Sequence, residues 1–414
     1  MMHASPSNER HSFWVLLLSH ICTKIGDGLL NPKTTLTWLM SALAAPSFLV
    51  GLLVPIRESG SMLPQILLSG QLQRFRRRKW AWLLGAWLQG ASVLGMALTA
   101  HFAEGATAGW VIICLLVLFS LARSICSITG KDLLGRTIPK RRRGRLTGWQ
   151  TSASGLVVLG VGLTLGTWSG DRPDLGTLAV LLFGAATLWF CGGLLIALLR
   201  EPADGVTKDF GSSLADRLAL LRDDAPFRRF VFARTLMMGS ALIAPYYVLI
   251  AQRRSEGAIA VLGYLIVASG LAQWLSSWLW GRYADRSSRL VMVWASVLSA
   301  LLGFGVLTAE WLEAPPIHAI WWHAAVFFVS VVAHSGVRVG RKTYVVDLGG
   351  DEQRAHYVAV SNTLMGALLL LAGGLGAALG AWSPLAAIAF FAMGSLAGAV
   401  FGLGLKEVTG DPLP

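Results

Sequence analysis

Charge is scarce in this chain. Charged side chains make up 14% of its 414 residues, where a soluble domain carries about 25%. With 54% hydrophobic residues, a water-soluble globule with one core is excluded. Apolar runs of roughly 18 or more residues recur from end to end, each long enough to cross a bilayer as a helix. Cysteine is scarce too: Cys22, Cys114, Cys126 and Cys191 all fall inside apolar runs and lack metal-ligand spacing. That excludes a disulfide framework and leaves them as small core residues. HExxH, GxSxG and paired CxxC motifs are absent, so hydrolase and metal chemistry have no support and no cofactor is expected. Gly336 to Thr343 looks superficially like a phosphate-binding loop, but the spacing is wrong and no strand precedes it. Without an ATP-binding motif, uphill movement of a solute must draw on an ion gradient or a partner. The first apolar run outlasts a signal peptide and carries charges, so no cleavable signal is expected.

What is present predicts an all-α, polytopic membrane protein. Twelve spans are expected: 13–31, 46–69, 80–100, 108–129, 146–168 and 175–199 in the first half, and 229–251, 258–280, 290–309, 318–339, 356–381 and 384–404 in the second. The expected domains are two six-span bundles, 1–199 and 229–414, joined by a charged linker, 200–228. In that linker Leu214, Leu218 and Leu221 recur at helical spacing among charges, as in an amphipathic helix on the membrane face.

The net charge is +13, but its placement matters more than its sum. Arg74, Arg76 to Lys79, Lys131, Arg136, Lys140 to Arg143, Arg145 and the linker lie on one side of the predicted spans, with Arg282, Arg286, Arg289, Arg341, Lys342 and Arg354. Lys33, Arg172, Arg253 and Arg254 lie on the other. Basic clusters in short loops between spans follow the positive-inside rule and not nucleic-acid binding. Both termini are therefore expected in the cytoplasm. Trp80, Trp82, Trp110, Trp321 and Trp322 are expected as interfacial anchors.

One pattern occurs twice. The basic segment Gly70 to Arg78, with Gln73 and Arg74, has a counterpart in Gly281 to Arg289, with Asp285 and Arg286, about 211 residues on. Arg143, Gly155 and Gly162 recur at the same offset as Arg354, Gly366 and Gly373. A fixed offset of about half the length is a common plan for membrane transporters. Gly281, three residues, Asp285-Arg286 and further basic residues resemble the loop between the second and third helices in a half of the major facilitator superfamily. Gln73 stands where that loop usually has Asp. The segment Pro139 to Gly144, then Gly148, also resembles that superfamily.

The resemblance implies two bundles that rock about a central site, with spans 1, 4, 7 and 10 lining a cavity and spans 2, 5, 8 and 11 between the bundles. It implies that Gly70, Gln73, Arg74, Gly281, Asp285, Arg286, Arg289, Arg143 and Arg354 belong to cytoplasmic gating loops. Asp285 could accept hydrogen bonds from a helix N-terminus or pair with an arginine; alternatively the arginines merely set topology. Gly155, Gly162 and Gly166 in span 5, and Gly366, Gly373, Gly376 and Gly380 in span 11, include small-xxx-small pairs that allow close helix approach. Static packing explains them equally well. Span 5 lacks the Gly-Pro pattern of that superfamily's drug/proton antiporters.

Ionisable groups inside a membrane cost several kcal/mol unless paired or hydrated, which makes each a functional candidate. His20, Lys24, Asp27 and Asn31 share one face of span 1. Asp27 could carry a coupling proton, or form a structural pair with Lys24. Arg57 and Glu58 are adjacent and point about 100° apart, so at least one should reach another helix. They could bind an anion and titrate, or form a buried ion-pair network. Arg123 in span 4 falls at the 211-residue offset from His334 in span 10, with Arg338 one turn on; Arg234 enters span 7. An intramembrane arginine stays charged and suits anion binding or gating, and His334 could relay protons. A core role for His334 and snorkelling for Arg234 and Arg338 are the plainer readings.

The functional expectation is a secondary transporter of a small solute working by alternating access and coupled to protons, with a multidrug-type efflux permease as the alternative. A non-transporting sensor or assembly protein on the same scaffold is the alternative of another class. An intramembrane enzyme would need a clustered nucleophile and base, which the sequence does not offer. The expected partners are membrane lipid, a small-molecule substrate and protons, without nucleic acid, and the chain is expected to act as a monomer.

Overall fold

The computed structural model describes residues 6–64, 77–167, 175–201, 222–348 and 350–408. Gly70, Gln73, Arg74 and the leucines expected in an amphipathic linker helix lie outside them, as does the side chain of Arg354. Among the described residues the fold is built from helices. They are α1 (Pro6–Leu29), α2 (Thr35–Ala42), α3 (Ser47–Met62), α4 (Arg78–Phe102), α5 (Gly105–Thr137), α6 (Lys140–Gly166) and α7 (Leu175–Ala197), followed by α8 (Ala225–Leu236), α9 (Gly239–Leu242), α10 (Ala244–Arg254), α11 (Ile259–Ala284), α12 (Ser288–Trp311), α13 (Ile320–Leu348), α14 (Gly350–Trp382) and α15 (Pro384–Leu403).

Among the described residues nine stretches are long and apolar enough to cross a membrane, the broken run Ala225–Arg254 counted as one. The three other expected spans are helical but depart from that standard for visible reasons. The first, α1, begins at Pro6 rather than residue 13 and carries Glu9, Arg10, Lys24 and Asp27. The second, α3, is 16 residues long. The fifth, α6, opens with five basic residues among its first six.

The chain forms two compact units. The first comprises Met1–Ala45, Ile56–Val161 and Asp174–Gly211; the second comprises Pro46–Pro55, Gly162–Pro173 and Ser212–Pro414. In the first unit α4 packs against α5 and α7, and α7 also packs against α1. In the second, α12 packs against α13 and α15, and α15 also packs against α8. The same three pairings therefore occur in each unit, as a repeated six-span plan requires.

The opening run of each half is interrupted. After Leu29 the chain passes through Asn31 and Pro32, where the Asn31 Oδ1 accepts from the Lys33 amide at 2.9 Å and Thr37 Oγ1 donates to the Pro32 carbonyl at 2.8 Å. Proline has no N–H for the helix ladder, so the turn ends one helix and α2 begins another. The counterpart runs from Leu236 to Ala244, with Pro245 in the first turn of α10. Other starts are set by side chains: Asp224 accepts from Phe227 N at 2.8 Å to cap α8, and Ser287 from Leu290 N at 3.1 Å to cap α12.

Small residues let the helices meet. A Cβ on Gly192 of α7 would lie 2.9 Å from the Thr23 methyl of α1, and Ser19 Oγ donates to the Gly192 carbonyl at 2.8 Å. Large apolar side chains point outward instead: Trp274, Trp311 and Trp382 are 78%, 82% and 85% exposed. Exposure of that kind belongs in lipid and not in water. Trp80, Trp110 and Trp321 are also exposed near helix ends, as anchors would be, whereas Trp82 is buried with its ring edge-on to His20 at 5.7 Å. Cys114 and Cys191 are exposed, so of the four cysteines Cys22 and Cys126 alone are partly buried.

Candidate functional site

The first unit gathers charge around Asp27. This carboxylate ends the polar stripe of α1, two residues before the helix stops. Arg57 of α3 donates from Nη2 to Asp27 Oδ1 at 2.8 Å. Arg123 of α5 donates from Nη1 to both carboxylate oxygens. Three helices are thereby joined through one acid. The two arginines differ in setting: the Arg57 side chain is 9% exposed and that of Arg123 is 34% exposed. The Arg57 guanidinium lies over the Phe119 ring at 4.7 Å, and Phe119 meets Trp189 edge-on at 5.2 Å. This aromatic floor holds Arg57 by cation–π contact in a site largely shielded from water. Gly60 permits the approach of α3 to α5, since a Cβ there would lie 2.6 Å from that of Ser120.

Lys24 does not take Asp27 as a hydrogen-bond partner; its Nζ donates to Thr151 Oγ1 of α6 at 2.7 Å. Glu58 is half-buried and interacts electrostatically with both guanidiniums. The cluster thus holds three cations, Lys24, Arg57 and Arg123, against two carboxylates, Asp27 and Glu58. The Nε of Arg57 is buried and has no hydrogen-bond partner among the described residues, leaving a strong donor unused. An excess positive charge with unused donors and partial solvent access can receive an anion. His20 sits a turn before Lys24, with its ring against that of Trp82.

The second unit holds the remaining intramembrane candidates. Arg234, buried in the last turn of α8, donates to Ser361 Oγ of α14. His334 Nδ1 of α13 lies 3.4 Å from Ser240 Oγ of α9. Arg338 is half-buried one turn along from His334.

The loop residues end helices. Arg143 donates to the carbonyls of Ile138 at 2.9 Å and Gly135 at 2.7 Å, closing the C-terminus of α5. Asp285 and Arg286 are exposed, and the cap of α12 comes from Ser287. Arg289 donates to the Leu403 and Leu405 carbonyls, both at 3.1 Å, and lies 3.4 Å from Glu407. A matching tie that sequence reasoning missed exists in the first unit. Glu201 accepts from the Arg78 and Lys79 amides at 2.8 and 2.9 Å, while Lys79 Nζ donates to the Ala197 and Leu199 carbonyls at 2.8 and 2.9 Å. Glu201 and Glu407 each fall four residues beyond the last helix of their half, a register that could have drawn attention to them.

The glycines divide into two groups. Added Cβ atoms on Gly162 and Gly166 would meet α11, at 2.9 Å from Ile266 and 3.5 Å from Tyr264. Those on Gly373, Gly376 and Gly380 would meet Pro55, Phe391 and Tyr246. Gly366 is buried, whereas nothing lies within 4 Å of a Cβ on Gly155. Gly281 is likewise open.

No family model matches the chain. Uncharacterized proteins of Mycobacterium tuberculosis and Mycobacterium bovis are 24% identical to it over 252 residues, which is 58% of this chain and 47% of theirs. The chain spans about half the length of the curated relatives it matches. Solved structures resemble it along nearly its whole length. A D-xylose-proton symporter is 14% identical, with 97% of this chain and 98% of that one covered at a TM-score of 0.67. The nucleoside transporter NupG is 12% identical, with coverage of 95% and 97% and a TM-score of 0.67. A peptide transporter POT in complex with sulfate is 13% identical, with coverage of 95% and 93% and a TM-score of 0.67. The chain is a multi-pass membrane protein with the twelve-helix fold of the major facilitator superfamily.

Proposed function

We propose that this protein is a secondary transporter that moves a small anionic solute by alternating access, coupled to protons at Asp27. The observation that carries the reading is the single carboxylate shared by Arg57 and Arg123. While Asp27 is ionised it occupies both guanidiniums. A proton on Asp27 cancels that hold, and a carboxylate or phosphate on the solute can take its place. Binding the proton and the anion together keeps the charge of the cluster constant, so neither enters cheaply alone. Lys24 and Glu58 set the surrounding potential, and the unused Nε of Arg57 adds a donor for the solute. The similar structures include a proton symporter of D-xylose and transporters of nucleosides and peptides, which supports solute transport as the class.

In this reading the bundles are 1–199 and 229–414 with the linker 200–228 between them, and the protein acts as a monomer in the inner membrane with both termini in the cytoplasm. His334, Arg234 and Arg338 supply the second bundle's polar contribution. Gly162 and Gly166 of α6 and Gly373, Gly376 and Gly380 of α14 provide the close contacts along which helices slide, and the arginine-rich helix ends hold the cytoplasmic face.

A thermal-shift screen of purified protein tests the substrate class. Small carboxylates or phosphates are expected to raise the melting temperature, and Arg57→Gln and Arg123→Gln to remove that rise. Stabilisation by neutral sugars or nucleosides alone, unchanged in both variants, would contradict an anionic substrate.

A further inference from the structure

The second unit has a cavity of about 450 Å³ between the first turns of α8 and the end of α15, lined by Arg228, Arg229, Phe232, Phe401, Gly404 and Leu405. Its residues fall into two zones. Arg228 and Arg229 are exposed near the start of α8, and Arg228 Nη1 donates to the Arg222 carbonyl at 3.1 Å. Arg229 has no hydrogen-bond or ion-pair partner among the described residues. One turn further along the same face is Phe232, 51% exposed, edge-to-face with Phe401, 54% exposed, at 4.9 Å between centroids. Two exposed phenyl rings one turn from two arginines put a cationic rim beside an apolar surface.

The end of a helix normally repels an anion, because its last carbonyls are unpaired. Here Arg289 donates to the carbonyls of Leu403 and Leu405 and is itself paired with Glu407 at 3.4 Å, so those carbonyls are satisfied and the positive charge at the cavity is that of Arg228 and Arg229.

We propose that this cavity binds one anionic phospholipid, its phosphate on Arg228 and Arg229 and the start of an acyl chain lying across the exposed faces of the Phe232–Phe401 pair. The occupant follows from the pairing of zones. A free phosphate would have no use for the exposed rings, and a neutral lipid none for the arginines. The basic side of the bilayer is also where anionic headgroups attract arginine. The inference needs the membrane setting and not transport, so it stands or falls separately from the proposed function.

Native mass spectrometry of the purified full chain tests it, with phosphatidylglycerol and phosphatidylcholine of identical acyl chains as probes. One phosphatidylglycerol is expected to stay bound in preference to phosphatidylcholine. Arg228→Ala and Arg229→Ala should each weaken retention about fivefold and the double variant about twentyfold. Phe232→Ala should weaken retention of phosphatidylglycerol, whereas Arg286→Ala, an exposed arginine elsewhere, should not. Melting temperatures matching the parent protein confirm that the variants are folded. Equal retention of the two lipids, retention unchanged in the double variant, or displacement by millimolar inorganic phosphate would overturn the proposal.

Discussion

Asp27 carries more of the structure than its neighbours in sequence suggest. Two guanidiniums depend on it, and Arg57 is nearly closed off from water. Removing one member of a buried ion pair leaves the other charge uncompensated, at a cost of about 3 kcal/mol or more. Asp27→Ala should therefore lower the unfolding free energy in detergent by that order and the denaturation midpoint with it, and Arg57→Ala more than Arg123→Ala, because Arg123 reaches solvent. Equal midpoints for the parent protein and Asp27→Ala would show that the pairs contribute nothing. The members of this cluster are visible in the sequence as charges inside apolar runs. Their pairing is not. Spacing along α1 brings Lys24 to Asp27, one turn away, whereas the fold supplies partners 30 and 96 residues distant and turns Lys24 to Thr151. Phe119 and Trp189 were equally hidden, since an aromatic beneath an arginine looks like any other apolar residue of its helix.

At the scale of helices, the glycines separate into tight and open positions that sequence spacing cannot distinguish. A Cβ on Gly340 of α13 would lie 2.8 Å from the Ser288 carbonyl oxygen and 2.6 Å from Met292 Cγ of α12. The backbone contact has no room to yield, so Gly340→Ala should destabilise by about 1–3 kcal/mol. Gly155→Ala in α6 meets open space and should stabilise by about 0.5–1 kcal/mol, because alanine is the better helix former. Thermal denaturation of the two variants checks the pair, and shifts of the same sign would contradict it. Helix ends offer a second test. Glu201 accepts two amides at the start of α4, so Glu201→Ala should cost about 1 kcal/mol, as loss of an N-terminal cap does. Faster amide exchange confined to the first turn of α4 is the expected signature, and unchanged exchange there would argue against the tie. Twelve helical segments and the alternation of basic loops could be read from hydropathy and charge. The break after Leu29 falls within two residues of the expected end of span 1, although α2 beyond it lies in no expected span, whereas the break after Leu236 could not be placed, because the apolar run continues through it.

Across the whole molecule the repeat acquires physical content. Both units pair the same helices, interrupt their opening run, and tie the end of the last helix to the start of the third through a glutamate and a basic side chain. Against that shared frame the differences stand out. The first unit concentrates four further ionisable groups about Asp27, where the 211-residue offset finds Met238 for Asp27 and Ala268 for Arg57. The proposed coupling chemistry accordingly belongs to the first unit and is not divided between the two. The measurement that meets this claim most directly is solute flux in proteoliposomes under an imposed pH gradient, using an anion that stabilises the purified protein. The parent protein should accumulate the anion when protons flow with it, and Asp27→Asn should retain folding yet lose all response to the gradient. Uptake by Asp27→Asn that follows the gradient as the parent protein does would contradict the account.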